Sequence, residues 1–501
     1  MLNRLHKVLP FNSHKINYEK VFNLHKCNGS NNIDFSSTFT FRREIHCSGY
    51  FRGASRLTPL EVNNMLKANE FTREFPSGMS IKSYDTNQLQ SNDPIEDMRN
   101  EAYCIHNKGH LFGVFDGHAG GACAQVVAKR LYHYFTAVLL PRNELLALVD
   151  SLNDPKGQPM KILEFFNERF EFVDVLRDLY SSSYRTFVND LARAEGGVAK
   201  SVEDAFVQSF LRLDEDISRE ALETENNLRV IQKTLSVAMS GAVTCIAYIN
   251  GPHLYVASLG DCQAVIGTLD EDQGQWMPKI MNVQHNSENI HEVHRILNEH
   301  PKAEQDSVIK FDRLLGQLAP LRAFGDFRYK WEKNVLERLC IPYFGANIVP
   351  PHYYTPPYLT AKPDITYHHL TPKDKFLVIA TDGLWDFISP LEVVRMVGEH
   401  LRGKTVLTPF RLLKEDMTLG EINDALLARK ECMKMKPIDR NACTHLLRNA
   451  LGGTEYGLDQ GKLSHLLSLP QEVVRNFRDD ISITVIHFDS EYLRQCLPAF
   501  G

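Results

Sequence analysis

No two of the ten cysteines, which run from Cys27 to Cys496, form a C-x-x-C pair. That spacing argues against a zinc ribbon or a thioredoxin-type redox motif. In a chain of 501 residues the scattered thiols fit the reduced interior of an intracellular protein better than a disulfide framework. No apolar run approaches the roughly 20 residues that a membrane-spanning helix needs. The longest buried-looking runs, such as 376–380, are strand-sized. A large charge of one sign is missing too: the net charge of −6 gives no bulk attraction to nucleic acid.

Several catalytic signatures are absent as well. A cysteine-dependent phosphatase needs C-x₅-R, so that an arginine closes the phosphate loop over the thiolate. No cysteine here has that spacing; four residues separate Cys443 from Arg448, and six separate Cys123 from Arg130. Aspartyl-phosphate chemistry uses D-x-D after an apolar strand. The one look-alike, Asp214-Glu215-Asp216, lies in a helical pattern. The sequence has no G-N-H-E segment, no EF-hand loop and no internal repeat.

What is present is an ordinary globular composition, 43% hydrophobic and 24% charged, with length enough for a large core. The N-terminus differs from the rest. Residues 1–43 carry seven Lys/Arg against two acids, Glu19 and Asp34. Residues 1–46 therefore read as a mitochondrial transit peptide or a disordered basic tail. A domain spanning 55–490 follows, with apparent insertions near 141–200 and 404–475.

Thr58, Pro59 and Glu61 read as N-cap, first helical residue and capping-box acid. Residues 73–93 read as loop-rich. Strand patterns at 102–106 and 110–115 flank the turn Asn107-Lys108-Gly109, predicting a hairpin. Helical spacing covers 120–140, 202–221 and 289–300. Strand patterns at 242–249, 253–258 and 263–269, with turns at Asn250-Gly251 and Gly260-Asp261, predict a three-stranded antiparallel meander. Residues 375–381 and 481–488 read as strands, and Ser389 to Glu392 opens a further capped helix. Strands in runs and helices in runs predict an α+β fold of antiparallel sheets with helices outside.

Acidic residues gather at the strand ends. Ile95-Glu96-Asp97, Phe115-Asp116-Gly117-His118, Thr381-Asp382-Gly383 and Arg478-Asp479-Asp480 all lie beside apolar strands or turns. A carboxylate there is costly to desolvate unless something compensates it. A single Asp-Gly is more often just a turn; four such segments meeting at one sheet edge would make a cage whose mutual repulsion calls for cations. Oxygen ligands without clustered Cys or His favour Mg²⁺ or Mn²⁺. Gly117 would let the chain turn and present its carbonyl. Two such ions could activate a shared water for attack on phosphorus, with His118 as the acid for the leaving oxygen.

These segments resemble the type 2C, metal-dependent protein phosphatases. The resemblance runs in order through I-E-D (95–97), V-F-D-G-H-A-G (114–120), S-G-A-V-T-C (240–245), A-S-L-G-D-C-Q-A (257–264), L-R-A-F-G-D (321–326), A-T-D-G-L-W-D (380–386) and R-D-D-I-S-I (478–483). It implies a β-sandwich flanked by helices and serine/threonine phosphatase activity. It also implies Asp116, the Gly117 carbonyl, Asp382 and Asp479 as direct metal ligands, with Glu96 and Asp97 acting directly or through water. Asp261 and Asp386 match a weaker third metal position.

Further segments are similar to the mitochondrial pyruvate dehydrogenase phosphatase branch: 57–71, 91–97, 312–326 and 350–363. That branch implies as partners the phosphorylated dehydrogenase component, the lipoyl domain of the transacetylase core and a regulatory subunit, with Ca²⁺ held at a partner interface. Two positions depart from the wider family. Asn92 stands where many members carry the arginine that grips the substrate phosphate, and Gln284-His285 stands where Asp-His is frequent. A catalytically weak pseudophosphatase serving as a scaffold is the alternative; loss of a metal carboxylate would favour it, and Asp116, Asp382 and Asp479 are all present.

Overall fold

The computed structural model describes residues 56–154, 158–167, 176–194, 201–223, 228–410 and 417–496. The basic segment 1–46 lies outside them. Two antiparallel sheets face each other. One has six strands in the spatial order Phe71–Glu74, Ile81–Leu89, Ile481–Phe488, Asp374–Ala380, Gln263–Asp270, Gln275–Ile280. The other runs Asp364–His369, His253–Leu259, Gly241–Asn250, His110–His118, Met98–Cys104, Leu163–Phe165, with Phe324–Gly325 pairing beside Gly241–Asn250.

Strand Asp374–Ala380 explains the layering. Leu377 and Ile379 point into the core between the sheets. Phe376, Val378 and Ala380 point the other way, into a second apolar layer under the helices. A strand buried on both faces reads as one continuous apolar run because neither set of alternate side chains meets water. Helices Ala122–Val138 and Val202–Leu222 cover one sheet; Pro390–Leu401 and Ala442–Gly452 cover the other. The order is therefore helix, sheet, sheet, helix.

The capped helices form as their signals predict. Pro59–Lys67 and Pro390–Leu401 each have a reciprocal capping box, Thr58 with Glu61 and Ser389 with Glu392. The hairpin at 107–109 is present, with Met98 opposite Phe115.

Two expectations are corrected. Residues 81–89 form a nine-residue central strand, not a loop. Its polar residues hid the strand, because they are buried and bonded to helices: Asp85 accepts from the Ala442 amide at 2.9 Å, and Asn87 donates to the Leu66 carbonyl at 2.7 Å. The meander is also wrong at its third strand. His253–Leu259 and Gln263–Asp270 belong to different sheets. Both are apolar enough to be core strands, and Gly260-Asp261 is a crossover between sheets, which alternation alone cannot tell from a hairpin turn.

Residues 141–200 hold helices Arg142–Asn153 and Arg177–Arg193 and the edge strand Leu163–Phe165. The 404–475 block holds helices Leu419–Met433, Ala442–Gly452, Gln460–Leu467 and Gln471–Val474. No helix among the described residues is long and apolar enough to cross a membrane. All eight described cysteines are free thiols.

Candidate active site

Strand pairing puts the acidic segments at one end of the sandwich. His118 pairs with Gly241, Ala380 with both Gln263 and Ile483, and Ile481 with Leu89. The strand ends carrying Asp97, Asp116, Asp261, Asp382 and Asp479 therefore meet at one mouth, drawn from both sheets.

Each carboxylate has its own surroundings. Asp97 is 1% exposed, and its Oδ2 accepts from Thr381 Oγ1 at 2.9 Å and Ser482 Oγ at 2.8 Å. Asp480 is committed to holding the 91–96 loop, through three backbone amides and one side chain. Its Oδ1 accepts from the Ser91 amide and, at 2.9 Å, the Asn92 amide; its Oδ2 accepts from Asn92 Nδ2 at 2.9 Å and the Glu96 amide at 2.8 Å. Of the Asp479-Asp480 pair, Asp479 is the one that faces the mouth. Glu96 Oε1 accepts from the Gly120 amide at 2.9 Å, clasping the loop after Asp116.

Burial pushes the carboxyls of Asp97, Asp116 and Asp382 well above the ordinary carboxylate range, and neighbouring carboxylates push them further. For Asp116 those neighbours are Asp97, Asp382, Asp479 and Asp261. For Asp382 they include Asp261, Asp479, Asp386 and Asp97. So dense a set of negative groups is stable in ionised form only with cations among them. Asp382 Oδ1 is buried and has no hydrogen-bond partner, an orphaned acceptor of the kind a metal satisfies. A Cβ at Gly117 would collide with the Glu96 carbonyl oxygen, so only glycine lets these two segments approach. Among the described residues no three His, Cys, Asp or Glu side chains are already closed into a ligand cluster. An all-oxygen set of this kind fits Mg²⁺ or Mn²⁺.

His118 ends its strand beside this cage. Its Nε2 lies 2.6 Å from Asp326 Oδ2. Burial opposes the imidazolium, but the Asp326 charge and hydrogen bond more than offset it, so the His118 pKa lies above the usual histidine value. Asp326 is 2% exposed and left-handed at φ 50°. A Cβ at Gly241 would strike both His118 Nε2 and Asp326 Oδ2, so a glycine on the neighbouring strand makes room for the pair. The segment carrying Asp326 is fixed from two sides. Lys330 Nζ and the Gly325 amide both donate to buried Asp214. Arg322 donates to both Glu292 oxygens, at 2.8 and 2.7 Å, and to Asp364 Oδ1 at 2.8 Å. Asp214 of the D-x-D look-alike is thus a structural ion-pair partner.

The two departures acquire geometry. Gln284 Nε2 donates to the Asp261 carbonyl at 2.6 Å, and His285 Nδ1 accepts from the Gly260 amide at 3.1 Å. Together they pin the crossover turn that carries Asp261. Asn92 spends its amide nitrogen on Asp480, and its oxygen accepts from Arg475. Asp386, at the end of the short helix opened by Asp382, is exposed. Sequence reasoning did not single out Asp326 or Arg475. The G-D pair at 325–326 and the four-residue spacing of Arg475 before Asp479 were the available signals.

The profile of the protein phosphatase 2C family matches residues 175–429, which include Asp261, Asp326, Asp382 and Asp386. The chain belongs to this family, and it is a metal-dependent protein serine/threonine phosphatase. Its similarity extends well past that segment. It is 42% identical over 450 residues to mitochondrial pyruvate dehydrogenase phosphatase 1 of Bos taurus, covering 87% of this chain and 83% of the relative. It is 38% identical over 451 residues to mitochondrial pyruvate dehydrogenase phosphatase 2 of Homo sapiens, covering 87% and 84%. Among the family's branches, it is pyruvate dehydrogenase phosphatase-like.

Proposed function

We propose that this phosphatase acts on the phosphorylated pyruvate dehydrogenase component of the pyruvate dehydrogenase complex in the mitochondrial matrix, and so reactivates it. The observation that carries this is identity of 42% spread over most of both chains to a relative bearing that name, not confined to the catalytic motifs. The excess of basic residues in 1–43 supports import, with 1–46 as the address. The lipoyl domain of the transacetylase core and a regulatory subunit are the further partners of this reading, with Ca²⁺ held at a partner interface.

In the proposed site, Asp116, the Gly117 carbonyl, Asp382 and Asp479 hold two Mg²⁺ or Mn²⁺ ions, and Glu96 and Asp97 contribute directly or through water. Asp261 and Asp386 form a weaker third position. Such ions lower the pKa of a bound water and neutralise phosphate charge. The chain's own groups do the rest. Asp480, at the head of strand Ile481–Phe488, fixes the 91–96 loop to the six-stranded sheet, so that Glu96 and Asp116 keep their spacing. His118 supplies the proton that the departing serine or threonine oxygen needs. Asp326 holds the ring by Nε2 and favours its protonated form, which leaves Nδ1 as the nitrogen free of Asp326.

The test is phosphate release from phosphorylated pyruvate dehydrogenase complex with Mg²⁺, with and without Ca²⁺, beside a phosphoserine peptide. The proposal expects faster release from the complex than from the peptide. Equal rates on complex and peptide would refute the assigned substrate.

A further inference from the structure

Asn92 offers a phosphate at most the one neutral side-chain N–H that its bond to Asp480 leaves over, and no charge. The nearest candidate comes from a different part of the chain. Arg475 follows the short helix Gln471–Val474, and Gln471 Nε2 ties that helix to the Ser91 carbonyl at 2.7 Å. The Arg475 guanidinium meets three groups of the mouth: Asn92 Oδ1, Glu96 Oε2 at 3.0 Å and Asp479 Oδ2 at 3.7 Å. Its side chain is 39% exposed, so it faces the entrance. Arg478, the other arginine of this segment, is 7% exposed and faces inward.

We propose that Arg475 binds the substrate phosphate in this chain, supplying from the C-terminal side the guanidinium that Asn92 does not provide. This rests on the phosphatase reading above. The geometry favours it in two ways. A guanidinium fork matches two phosphate oxygens, where an asparagine offers one neutral donor. Glu96, which now accepts from Arg475, and Asp479, which faces it as an ion pair at 3.7 Å, are also proposed metal ligands. A phosphate drawn to the metals therefore brings its oxygens to the place where the fork already points. Asn92 then acts as the rest on which the guanidinium lies.

The experiment compares wild type with Arg475→Ala, Arg475→Lys and the double variant Asn92→Arg/Arg475→Ala. Three quantities are read: KM and kcat on a phosphoserine peptide, inorganic phosphate affinity of the Mn²⁺-loaded protein by calorimetry, and Mn²⁺ affinity itself. Arg475→Ala should raise KM and weaken phosphate binding by roughly 10- to 100-fold, the range for losing a charged hydrogen bond, with kcat changed far less. Lysine should recover part of this, because it restores the charge without the fork. Arginine at 92 should restore phosphate affinity in the absence of Arg475. Wild-type phosphate affinity in Arg475→Ala would overturn the proposal. So would a loss confined to Mn²⁺ affinity, which would make Arg475 only a prop for Glu96 and Asp479. Phosphate binding is read without turnover, so an inactive wild type would sink the phosphatase reading separately.

Discussion

Asp326→Asn is the substitution that isolates the charge behind His118. Asparagine has nearly the same shape and tolerates the left-handed backbone that Asp326 occupies at φ 50°. Its amide can still meet His118 Nε2, 2.6 Å from the carboxylate oxygen in the native pair. What disappears is the negative charge. A hydrogen bond to a charged partner contributes about 1.5–3 kcal/mol, whereas a neutral one contributes about 1 kcal/mol. The difference, about 0.5–2 kcal/mol, corresponds to a fall in kcat of roughly 2- to 30-fold. The upper bound is loss of the acid itself, His118→Ala, at roughly 10²- to 10⁴-fold. The assay is kcat on a phosphoserine peptide, whose alkoxide must be protonated, beside an aryl phosphate, whose phenolate leaves unaided. The peptide rate should fall and the aryl rate should hold. The pH dependence gives a second check. His118 is an acid only while protonated, so activity falls as pH rises through its pKa. That pKa is raised by Asp326, so the fall should begin at lower pH in the variant. Equal losses on both substrates, or an unmoved alkaline limb, would refute the role given to this pair.

Two further predictions concern the supports of the Asp326 segment. Lys330→Met strands the buried Asp214 carboxylate that now accepts from Lys330 at 2.8 Å; unfolding should become easier by about 3–5 kcal/mol, and Asp214→Asn in the same chain should recover part of that, as denaturant titration would reveal. Glu292, almost fully buried, has its carboxyl held below the ordinary range; burial opposes this, and hydrogen bonds from Arg322 and Arg295 outweigh it. A depressed carboxyl stabilises the fold above its unfolded pKa, about 4.3, and loses that contribution as pH falls through the folded value. The melting-temperature gap between wild type and Glu292→Gln should therefore be widest near neutrality and close in acid; a gap independent of pH would contradict it.

The apolar strands and capped helices were legible in the sequence because their signals are local. Thr58 with Glu61, or the run at 376–380, declare themselves within a few residues. The strand 81–89 was not legible, because Asp85 and Asn87 are satisfied by helices that lie 21 to 357 residues away in sequence. The sheet crossover at Gly260-Asp261 escaped for a related reason: a turn's residues do not say which strand the chain will pair with next. The acidic positions could be read because each is an Asp or Glu beside a strand. The roles of Asp326 and Arg475 could not. Asp326 matters through a contact 208 residues distant, with His118, and Arg475 through one 383 residues distant, with Asn92. The sequence also marked Asn92 as a departure, and the fold brings an arginine to it.

The role proposed for Asp116 and its neighbours is a metal cage that drives phosphoester hydrolysis. It is tested most directly by Mn²⁺ calorimetry and turnover on the same folded samples of wild type and Asp116→Asn. The variant should keep its fold and lose both high-affinity Mn²⁺ binding and nearly all turnover. Retention of more than about a tenth of wild-type activity, equivalent to under roughly 1.4 kcal/mol of transition-state stabilisation, with Mn²⁺ affinity unchanged, would contradict it.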